Sequence, residues 1–556
     1  MPAAMTKRIL LTFVFFVAVA AGAAPAGRPA LVVVISIDQF RYDYVTRFAP
    51  YFDSDGFRRF LDRGATFTNA RYPYATTYTG PGHAAIGTGR VPAESGIIAN
   101  TWFDRLNRRP EYCVADERAG FSPVNLQSDS LGDRLQEKFA ASRVFAAAIK
   151  DRAAILMGGR KATAAYWFDP TTSGFTSSTY YHANATIPAE YNKTIPDSLR
   201  QHPVWEQSSF IPAADLAKLT HDPVALRKYK TAREGLGVSF PHPIRTLDAL
   251  TYTPYGNGLL LGFVERLVEA EHIGASGDAP DLLFVGLSST DYLGHNFGPD
   301  SLEVADAIVR TDRDIEEFLR WLDGRLAGRY VAVLTSDHGV QPIPEIARDM
   351  GRDAGRVSMR NPGANVRTFG ELAEIAPARV QLEKAAGAIL GRHLTDNSEV
   401  SDGLILYFEE PAIYLNWRRI AELKLDGEKV KRAYRDAARK LKGVRDAFTN
   451  SELLTMLPPK SETEAAMRLS FRADRSGDVL MALTPGYIWD YSGTGTTHGQ
   501  AVENDQRVPL MFWGTGIVAR HFDSDAAPTD IARTIGSLLG FEAGSANSRV
   551  LPVTAP

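Results

Sequence analysis

The chain has 556 residues, which allows one large core with insertions or two to three domains. Its 62 basic and 65 acidic residues give a formal net charge of -3, which excludes nucleic-acid binding driven by bulk positive charge. The composition, 44% hydrophobic and 23% charged, is typical of a globular protein, so an anion would have to be recognised by local charges.

The N-terminus has the pattern of a secretory signal peptide. Lys7 and Arg8 precede an apolar run at 9–21, and small residues follow at 21–23. The apolar run has about 13 residues where a membrane span needs roughly 20, so an uncleaved anchor is the less favoured alternative. We therefore predict that residues 1–23 are a signal peptide, that the mature protein is periplasmic, and that it has no membrane attachment after cleavage.

Four continuous apolar runs predict buried strands of a central sheet. Because apolar and polar residues do not alternate in them, both faces of each strand should be covered. Residues 301–326 carry apolar positions at helical spacing, and the order of strands and helices predicts an α/β fold with a mostly parallel sheet flanked by helices. The runs are LVVVISI at 31–37, DLLFVGL at 281–287, YVAVLTS at 330–336 and VPLMFWG at 508–514.

The same patterns predict a core interrupted by an insertion. Residues 28–349 and 485–556 form the predicted α/β core, in which a segment at about 165–245 is predicted to be loops with short helices. Residues 350–484 hold short apolar runs around a helical segment at 428–443, which predicts a smaller α+β insertion or cap.

Carboxylates and imidazoles follow the predicted strands. Asp38 comes directly after the first run, and Asp337 and His338 come after the third. Polar residues beyond the carboxyl ends of parallel strands meet at one edge of the sheet. Asp291 and His295, four residues apart in DYLGH, would lie on one face of a helical turn, from which both can approach one cation.

His498, in the Gly- and Thr-rich stretch YSGTGTTHGQ, adds an imidazole on a loop. Alone, each motif is a weak signal, and a surface ion pair or a solvated histidine is the commoner explanation. Together they supply three carboxylates and three imidazoles, which divide into two three-ligand sites with open positions, as catalytic zinc requires. Two metals about 4 Å apart can clamp the attacking and leaving oxygens of a phosphoryl transfer, although manganese or cobalt could also occupy such sites.

This ordered series, together with Thr79 in TGPGH and Asn100 in IIANTWF, closely resembles the alkaline phosphatase superfamily. It is most similar to the bacterial periplasmic, phosphate-irrepressible alkaline phosphatases with a threonine nucleophile, from about residue 30 to the end of the chain. The combined motifs are specific where each part is not. The resemblance implies a zinc-dependent hydrolase of broad specificity for small phosphate monoesters with two Zn²⁺ ions, and we expect a monomer.

The resemblance also assigns roles to the site residues. Thr79 would attack phosphorus and form a covalent phosphothreonine, and the Gly-Pro-Gly turn after it suits a helix whose free N–H groups favour anions. His83 is expected to pack or hydrogen-bond in the first turn of that helix. One zinc would be held by Asp291, His295 and His498, and the other by Asp38, Asp337 and His338 with the Thr79 oxygen.

Three further residues would contact the phosphate. Asn100 matches an asparagine that contacts a non-bridging oxygen in the resembled family, and Lys150 and Arg152 in AIKDRAAIL resemble the pair by which the monoesterases grip phosphate. The alternatives are a turn residue and solvated charges, but the apolar sequence around the pair favours a strand end. A monoester carries nearly two negative charges and a diester one, so the pair favours monoesters.

Two other functions stay open. The first is a phosphodiesterase or nucleotide pyrophosphatase of the same superfamily, which would prefer a diester to the matching monoester. The second is a noncatalytic periplasmic protein that binds phosphate or metal, which would release no phosphate from any ester.

Overall fold

The computed structural model of the protein describes residues 27–555 except 276, 278 and 491. The predicted signal peptide at 1–23 lies outside these residues. Among the helices that are described, none is long and apolar enough to cross a membrane.

Within this part of the chain there are 21 strands, which fall into one large sheet and several small ones. In chain order the strands are β1 (Leu31–Ile37), β2 (Ala65–Ala70), β3 (Thr101–Asp104), β4 (Arg109–Tyr112), β5 (Ala115–Asp116), β6 (Gly120–Phe121), β7 (Val144–Ala148), β8 (Ala164–Asp169), β9 (Gly174–Thr176), β10 (Val204–Trp205), β11 (His242–Pro243), β12 (Asp281–Leu287), β13 (Tyr330–Thr335), β14 (Gly355–Val357), β15 (Ile405–Glu409), β16 (Ala412–Leu415), β17 (Val444–Thr449), β18 (Val479–Leu483), β19 (Tyr487–Trp489), β20 (Leu510–Gly514) and β21 (Arg520–Ala526).

The same residues form 23 α-helices and two 3-10 helices, the latter at Ala49–Tyr51 and Val400–Asp402. The α-helices are α1 (Tyr44–Arg47), α2 (Phe57–Arg63), α3 (Thr79–Thr88), α4 (Pro92–Ser95), α5 (Leu131–Lys138), α6 (Asp151–Gly158), α7 (Thr186–Asn192), α8 (Ile195–Gln201), α9 (Ala213–Leu219), α10 (Pro223–Arg227), α11 (Leu247–Thr251), α12 (Tyr255–Ala270), α13 (Ser289–Phe297), α14 (Leu302–Leu326), α15 (Pro344–Asp349), α16 (Phe369–Ile375), α17 (Pro377–Ile389), α18 (Trp417–Glu422), α19 (Gly427–Ala438), α20 (Asn450–Leu453), α21 (Glu462–Ser470), α22 (Glu503–Gln506) and α23 (Asp530–Leu539).

Nine strands form the central sheet, in the order β21-β2-β20-β13-β1-β12-β7-β8-β9. The middle of the sheet is parallel, since β1 pairs in parallel with β12 and β13, β12 with β7, and β7 with β8. Strand β20 is antiparallel to both of its neighbours, and β9 is antiparallel to β8. All four apolar runs lie in this sheet, and the predicted α/β class is confirmed.

Helices cover both faces of the central sheet, which explains why its middle strands are apolar at every position. All residues of β1 and β12 are buried. Val33 and Ile35 pack on the side of α12 and α14, whereas Val32 and Val34 pack on the side of α3, α6 and α23. Successive side chains of a strand point to opposite faces, so burial on both faces requires an unbroken apolar run.

The predicted insertion contains its own antiparallel sheet, with the order β15-β16-β18-β17. Three of these strands match the apolar runs in the sequence, whereas β17 was not predicted. The sheet packs with α17 and α19 around a separate apolar cluster that includes Leu382 and Tyr434. Strands β14 and β19 pair in parallel where the chain enters and leaves this region. The domain boundaries themselves stay a prediction.

Removing a side chain from the centre of the sheet should destabilise the whole core. Leu283 in β12 is fully buried, so Leu283→Ala should lower the free energy of unfolding by about 2–5 kcal/mol. Leu106 is 94% exposed, and the matched change Leu106→Ala should stay within about 0.5 kcal/mol. Denaturant unfolding of both variants checks this, and equal losses would contradict the assigned burial.

Candidate metal centre

Three adjacent strands of the central sheet deliver the predicted carboxylates to one place. Asp38 directly follows β1, Asp337 lies just beyond β13, and Asp291 lies in the first turn of α13, which follows β12. Because these strands are neighbours in the order β13-β1-β12, their carboxyl ends meet at one edge. All three carboxylates are buried there, as the strand-end pattern predicts.

The carboxylates and imidazoles form two groups of three residues whose ligand atoms lie within 4.8 Å of one another. The first group is Asp38, Asp337 and His338, and the second is Asp291, His338 and His498. His338 Nε2 is 3.1 Å from Asp337 Oδ2 and 3.6 Å from Asp38 Oδ1. The first group is therefore the predicted set for one of the two ions.

The second group differs from the predicted set in one imidazole. His295 lies one helical turn after Asp291, with its Nε2 3.2 Å from Asp291 Oδ1, and its ring centroid is 5.0 Å from that of His498. The His338 ring stacks on His498 at 3.5 Å between centroids and takes the third place in the tighter cluster. Both His295 and His338 thus lie beside the pair formed by Asp291 and His498.

The three histidines are oriented in the same way. In each, Nδ1 lies next to a backbone carbonyl, which can only accept a hydrogen bond, so Nδ1 carries a proton and Nε2 is the atom nearest the carboxylates. Metal-binding histidines in proteins are commonly held by such a contact on the other ring nitrogen. The acceptors are Thr496 O for His295 at 2.8 Å, Gly339 O for His338 at 3.0 Å and Thr77 O for His498 at 2.8 Å.

The cluster carries buried negative charge that attracts cations. Burial and the charge of Asp337 raise the pKa of Asp38. Burial lowers the pKa of His338, but the charges of Asp337, Asp38 and Asp291 and the hydrogen bond to Asp337 together outweigh it and raise that pKa to about 9. Burial lowers the pKa of His498 well below its ordinary value, which keeps this imidazole neutral. Buried carboxylates that draw protons in this way, with imidazole Nε2 atoms beside them, fit divalent metal ions.

Lys150 is the buried cation that bridges the two groups. It caps α6 just beyond β7, and its Nζ is 2.6 Å from Asp38 Oδ2 and 2.5 Å from Asp291 Oδ2. Burial lowers the pKa of Lys150, but the two carboxylates outweigh burial and raise it. The strand-end position expected from the sequence is confirmed, and the side chain contacts two predicted metal ligands.

Thr79 is the first residue of α3 and lies beside the first ligand group. Its Oγ1 is 3.5 Å from His338 Nε2 and accepts a hydrogen bond from Arg152 Nη2 at 3.4 Å. Asn100 Oδ1 accepts the backbone N–H of Gly80 at 2.7 Å, next to Thr79. The structure thus brings every predicted site residue to the same edge of the sheet.

The start of α3 packs closely against the strand end that carries Asp337. A Cβ atom at Gly82 would lie 2.3 Å from the backbone oxygen of Asp337, so a residue with a side chain cannot fit without a shift of backbone. His83 Nδ1 donates to Thr79 O at 2.9 Å, which confirms the hydrogen bond expected in the first turn. Burial lowers the pKa of His83 to about 4, so this histidine is neutral.

Gln39 orients two of the carboxylates and was missed in the sequence. Its backbone N–H donates to Asp337 Oδ1 at 3.1 Å, and its side-chain amide donates to Asp291 Oδ1 at 2.8 Å. It has a φ of 60°, in the left-handed region that residues other than glycine seldom adopt. Its place directly after Asp38, at a strand end, is the one signal that could have identified it.

Side chains of the predicted insertion hold the segments on both sides of the centre. The Tyr78 hydroxyl donates to Glu410 Oε2 at 2.9 Å, across a sequence separation of 332 residues. On its other side the Tyr78 ring meets Gly499, where φ is 102° and a Cβ would lie 2.0 Å from the ring. Arg356 donates to Gly495 O at 2.8 Å. The neighbours of Thr79 and His498 are thus fixed from one region.

Comparison with known proteins gives one family. The model of the type I phosphodiesterase / nucleotide pyrophosphatase family matches residues 32–504. The alkaline phosphatase PhoV of Synechococcus elongatus is 32% identical over 92% of this chain and 90% of PhoV. The alkaline phosphatase PafA of Elizabethkingia meningoseptica is 30% identical over 92% of each chain.

Solved structures of PafA have the same fold. Wild-type PafA matches with a TM-score of 0.81 at 28% identity, over 96% of this chain and 100% of that chain. A variant of PafA, in which one threonine is changed to serine and one asparagine, one lysine and one arginine are changed to alanine, gives the same TM-score at 27% identity.

Divalent metal should stabilise the native protein. An ion that binds only the folded chain adds about 3–4 kcal/mol at concentrations 100 to 1,000 times its Kd, so chelation should lower the melting temperature by several degrees. Asp337→Asn should remove most of this difference. Asp62→Asn, at a side chain that is 55% exposed, should leave it intact. Melting curves with and without chelator decide this, and identical curves for the unaltered protein would contradict a metal centre.

Proposed function

The chain belongs to the type I phosphodiesterase / nucleotide pyrophosphatase family, within the alkaline phosphatase superfamily, and we propose that it hydrolyses phosphate monoesters through a covalent phosphothreonine at Thr79. It is a phosphoric monoester hydrolase, related over 92% of its length to alkaline phosphatases. The observation that carries the mechanism is the position of the Thr79 hydroxyl, at the start of α3 and within 3.5 Å of both His338 and Arg152.

We assign one zinc ion to each of the two ligand sets expected from the sequence. Mixed carboxylate and imidazole ligands with open positions suit catalytic zinc. When bound, the ions supply Lewis-acid charge that lowers the pKa of the Thr79 hydroxyl and of water and stabilises the departing oxygen. The assigned ligands are Asp38, Asp337 and His338 with Thr79 for one ion, and Asp291, His295 and His498 for the other. Elemental analysis of the purified protein, with two zinc ions per chain expected, tests this assignment.

Thr79 carries the phosphoryl group in the first half of the reaction. Its deprotonated oxygen attacks phosphorus, the Thr79 O–P bond forms, and the ester P–O bond breaks with the electron pair leaving on the alcohol oxygen. In the second half, water attacks phosphorus, the Thr79 O–P bond breaks, and a proton from the water restores the Thr79 hydroxyl as inorganic phosphate leaves. Since Thr79 is buried and begins a helix, its oxygen is fixed in position.

Arg152, Lys150 and Asn100 are assigned to the phosphate oxygens. Arg152 already donates to the Thr79 hydroxyl, so its guanidinium lies beside the position that a phosphoryl group on that oxygen would take. Charged donors bind a doubly charged monoester more strongly than a singly charged diester. The PafA variant changes the same four residue types together, which supports treating these three residues and Thr79 as one functional set.

The alternative within the family is a phosphodiesterase, which the description of the matched family favours. Against it stand Lys150 and Arg152, which place two positive charges beside Thr79 and its ligand group. Turnover of an aryl phosphate monoester compared with its methyl diester separates the two functions, and a strong preference for the diester would reject our assignment.

We also propose that the mature enzyme is a periplasmic monomer. The proposed compartment rests on the basic and apolar pattern of residues 1–23. Mass spectrometry of the N-terminus after expression, with cell fractionation and light scattering, tests the cleavage, the compartment and the oligomeric state separately.

The nucleophile assignment predicts the behaviour of two variants. Thr79→Ala should abolish both phosphate release and the covalent phosphoenzyme while the metal content stays nearly unchanged, because only one ligand oxygen is lost. Thr79→Ser keeps a hydroxyl and should retain measurable turnover. Acid-quenched intact-mass spectrometry detects the added phosphoryl group, and a phosphoenzyme that persists in Thr79→Ala would refute the role.

The charge argument predicts selectivity. Lys150→Ala and Arg152→Ala should each lower kcat/KM for an aryl monoester by about 10- to 100-fold, since each removes a charged hydrogen bond. Loss on the matching methyl diester should be much smaller. Steady-state kinetics of both esters gives the comparison, with Arg329→Ala at the distant start of β13 as a control, and equal losses on the two esters would contradict discrimination by charge.

A further inference from the structure

A cavity of about 370 Å³ opens beside the metal centre, and it is larger than a phosphoryl group requires. Its lining includes Arg152, Asp291 and His295 of the centre, and also Tyr252, Arg233 and Arg356. A monoester whose phosphorus is at Thr79 therefore has room for its alcohol portion in this space. The proposed reaction leaves this cavity unassigned.

Positive charge outweighs negative charge along the walls of this cavity. Three arginines line it, whereas its one acidic residue is Asp291, which is bonded to Lys150 and assigned to metal. Hydroxyl groups of threonine and serine supply most of the other polar lining. A ligand with oxygen acceptors and negative charge fits these walls better than an apolar or cationic one.

The three arginines are not equivalent. Arg356 is already paired with Glu345 at 2.8 Å and donates to Gly495 O, so its charge is largely neutralised. Arg152 contacts Thr79 and belongs to the phosphate site. Arg233 is exposed at the cavity, and among the described residues no carboxylate forms an ion pair with it. Arg233 is therefore the cation available to a substrate beyond the phosphate.

An aromatic wall lies next to Arg233. Tyr252 and Tyr292 stack with 4.2 Å between ring centroids and 13° between planes, which makes one side of the cavity flat and rigid. The Arg233 guanidinium also lies close enough to the Tyr252 side chain for its charge to lower the pKa of that hydroxyl, although burial outweighs this and raises the pKa. Glu234 and Asp248 lie near Tyr252 as well, but neither of them lines the cavity.

We propose that this cavity is the leaving-group site and that Arg233 selects monoesters whose leaving group carries a second anionic group, a carboxylate or a further phosphate. The proposal rests on the proposed function, because it concerns the alcohol portion of the same substrate. Arg233 makes a charged hydrogen bond to that second group, and the tyrosine pair supports the carbon skeleton between the two anions.

The test compares phenyl phosphate with 4-carboxyphenyl phosphate on the purified metal-loaded enzyme. The two esters differ by one carboxylate, and the intrinsic difference in leaving-group reactivity cancels when the ratio of their kcat/KM values is compared between variants. Arg233→Gln should lower this ratio by about 3- to 10-fold, the range for one partly exposed charged hydrogen bond. Arg233→Lys should restore part of it.

Two further measurements separate a contact with the leaving group from a general loss of charge. Arg266→Gln removes a 52% exposed arginine on α12 and should leave the ratio unchanged. 4-Hydroxybenzoate, the dephosphorylated product, should inhibit the Arg233→Gln enzyme more weakly than the unaltered enzyme, whereas inhibition by phenol should be the same. An unchanged ratio in Arg233→Gln, or an equal change in Arg266→Gln, overturns the proposal.

The failure of this inference differs from failure of the proposed function. An enzyme that hydrolyses both esters, with a ratio that is insensitive to Arg233, rejects the leaving-group site alone. An enzyme that releases phosphate from neither ester rejects the function on which the site depends.

Discussion

The structure around the site depends on one constraint, which is that three carboxylates are buried together at the end of a sheet. Asp38, Asp291 and Asp337 meet there because β1, β12 and β13 are adjacent and parallel and end at the same level. Buried like charges repel strongly and require compensation. Lys150 and His338 supply part of this compensating charge. The oriented imidazoles beside the carboxylates fit divalent ions, which would supply the rest.

Charges of opposite sign enter the site from different strands. The acids follow the three strands β13, β1 and β12, whereas Lys150 and Arg152 follow β7, the next strand in the order. The sheet therefore places the side with carboxylates and imidazoles next to the side with cationic side chains, with Thr79 between them at the start of α3. A phosphate needs both environments, since its bridging oxygens are stabilised by metal and its other oxygens by hydrogen-bond donors.

Much of this arrangement could be predicted because it follows from local sequence. The unbroken apolar runs identify strands buried on both faces, and the residues just beyond them include the candidate ligands Asp38, Asp337 and His338. Contacts between residues far apart in the chain could not be predicted in this way. No local pattern indicates that Tyr78 contacts Glu410, because that contact joins the core to the other sheet across 332 residues. Strand β17 was missed because the charged residues Arg445 and Asp446 interrupt its sequence, VRDAFT, which therefore gives no continuous apolar run.

The predicted insertion is tied to the core at the site, because its side chains reach the segments that carry Thr79 and His498. Glu410 bonds to the residue before Thr79, and Arg356 bonds to the loop before His498, so a displacement of this region would move Thr79 and His498 together. Arg356 also lines the cavity beside the candidate metal centre. One region thus contacts the segments around the site and forms part of the wall of the cavity, so changes in its loops would reshape the cavity without altering the buried carboxylates.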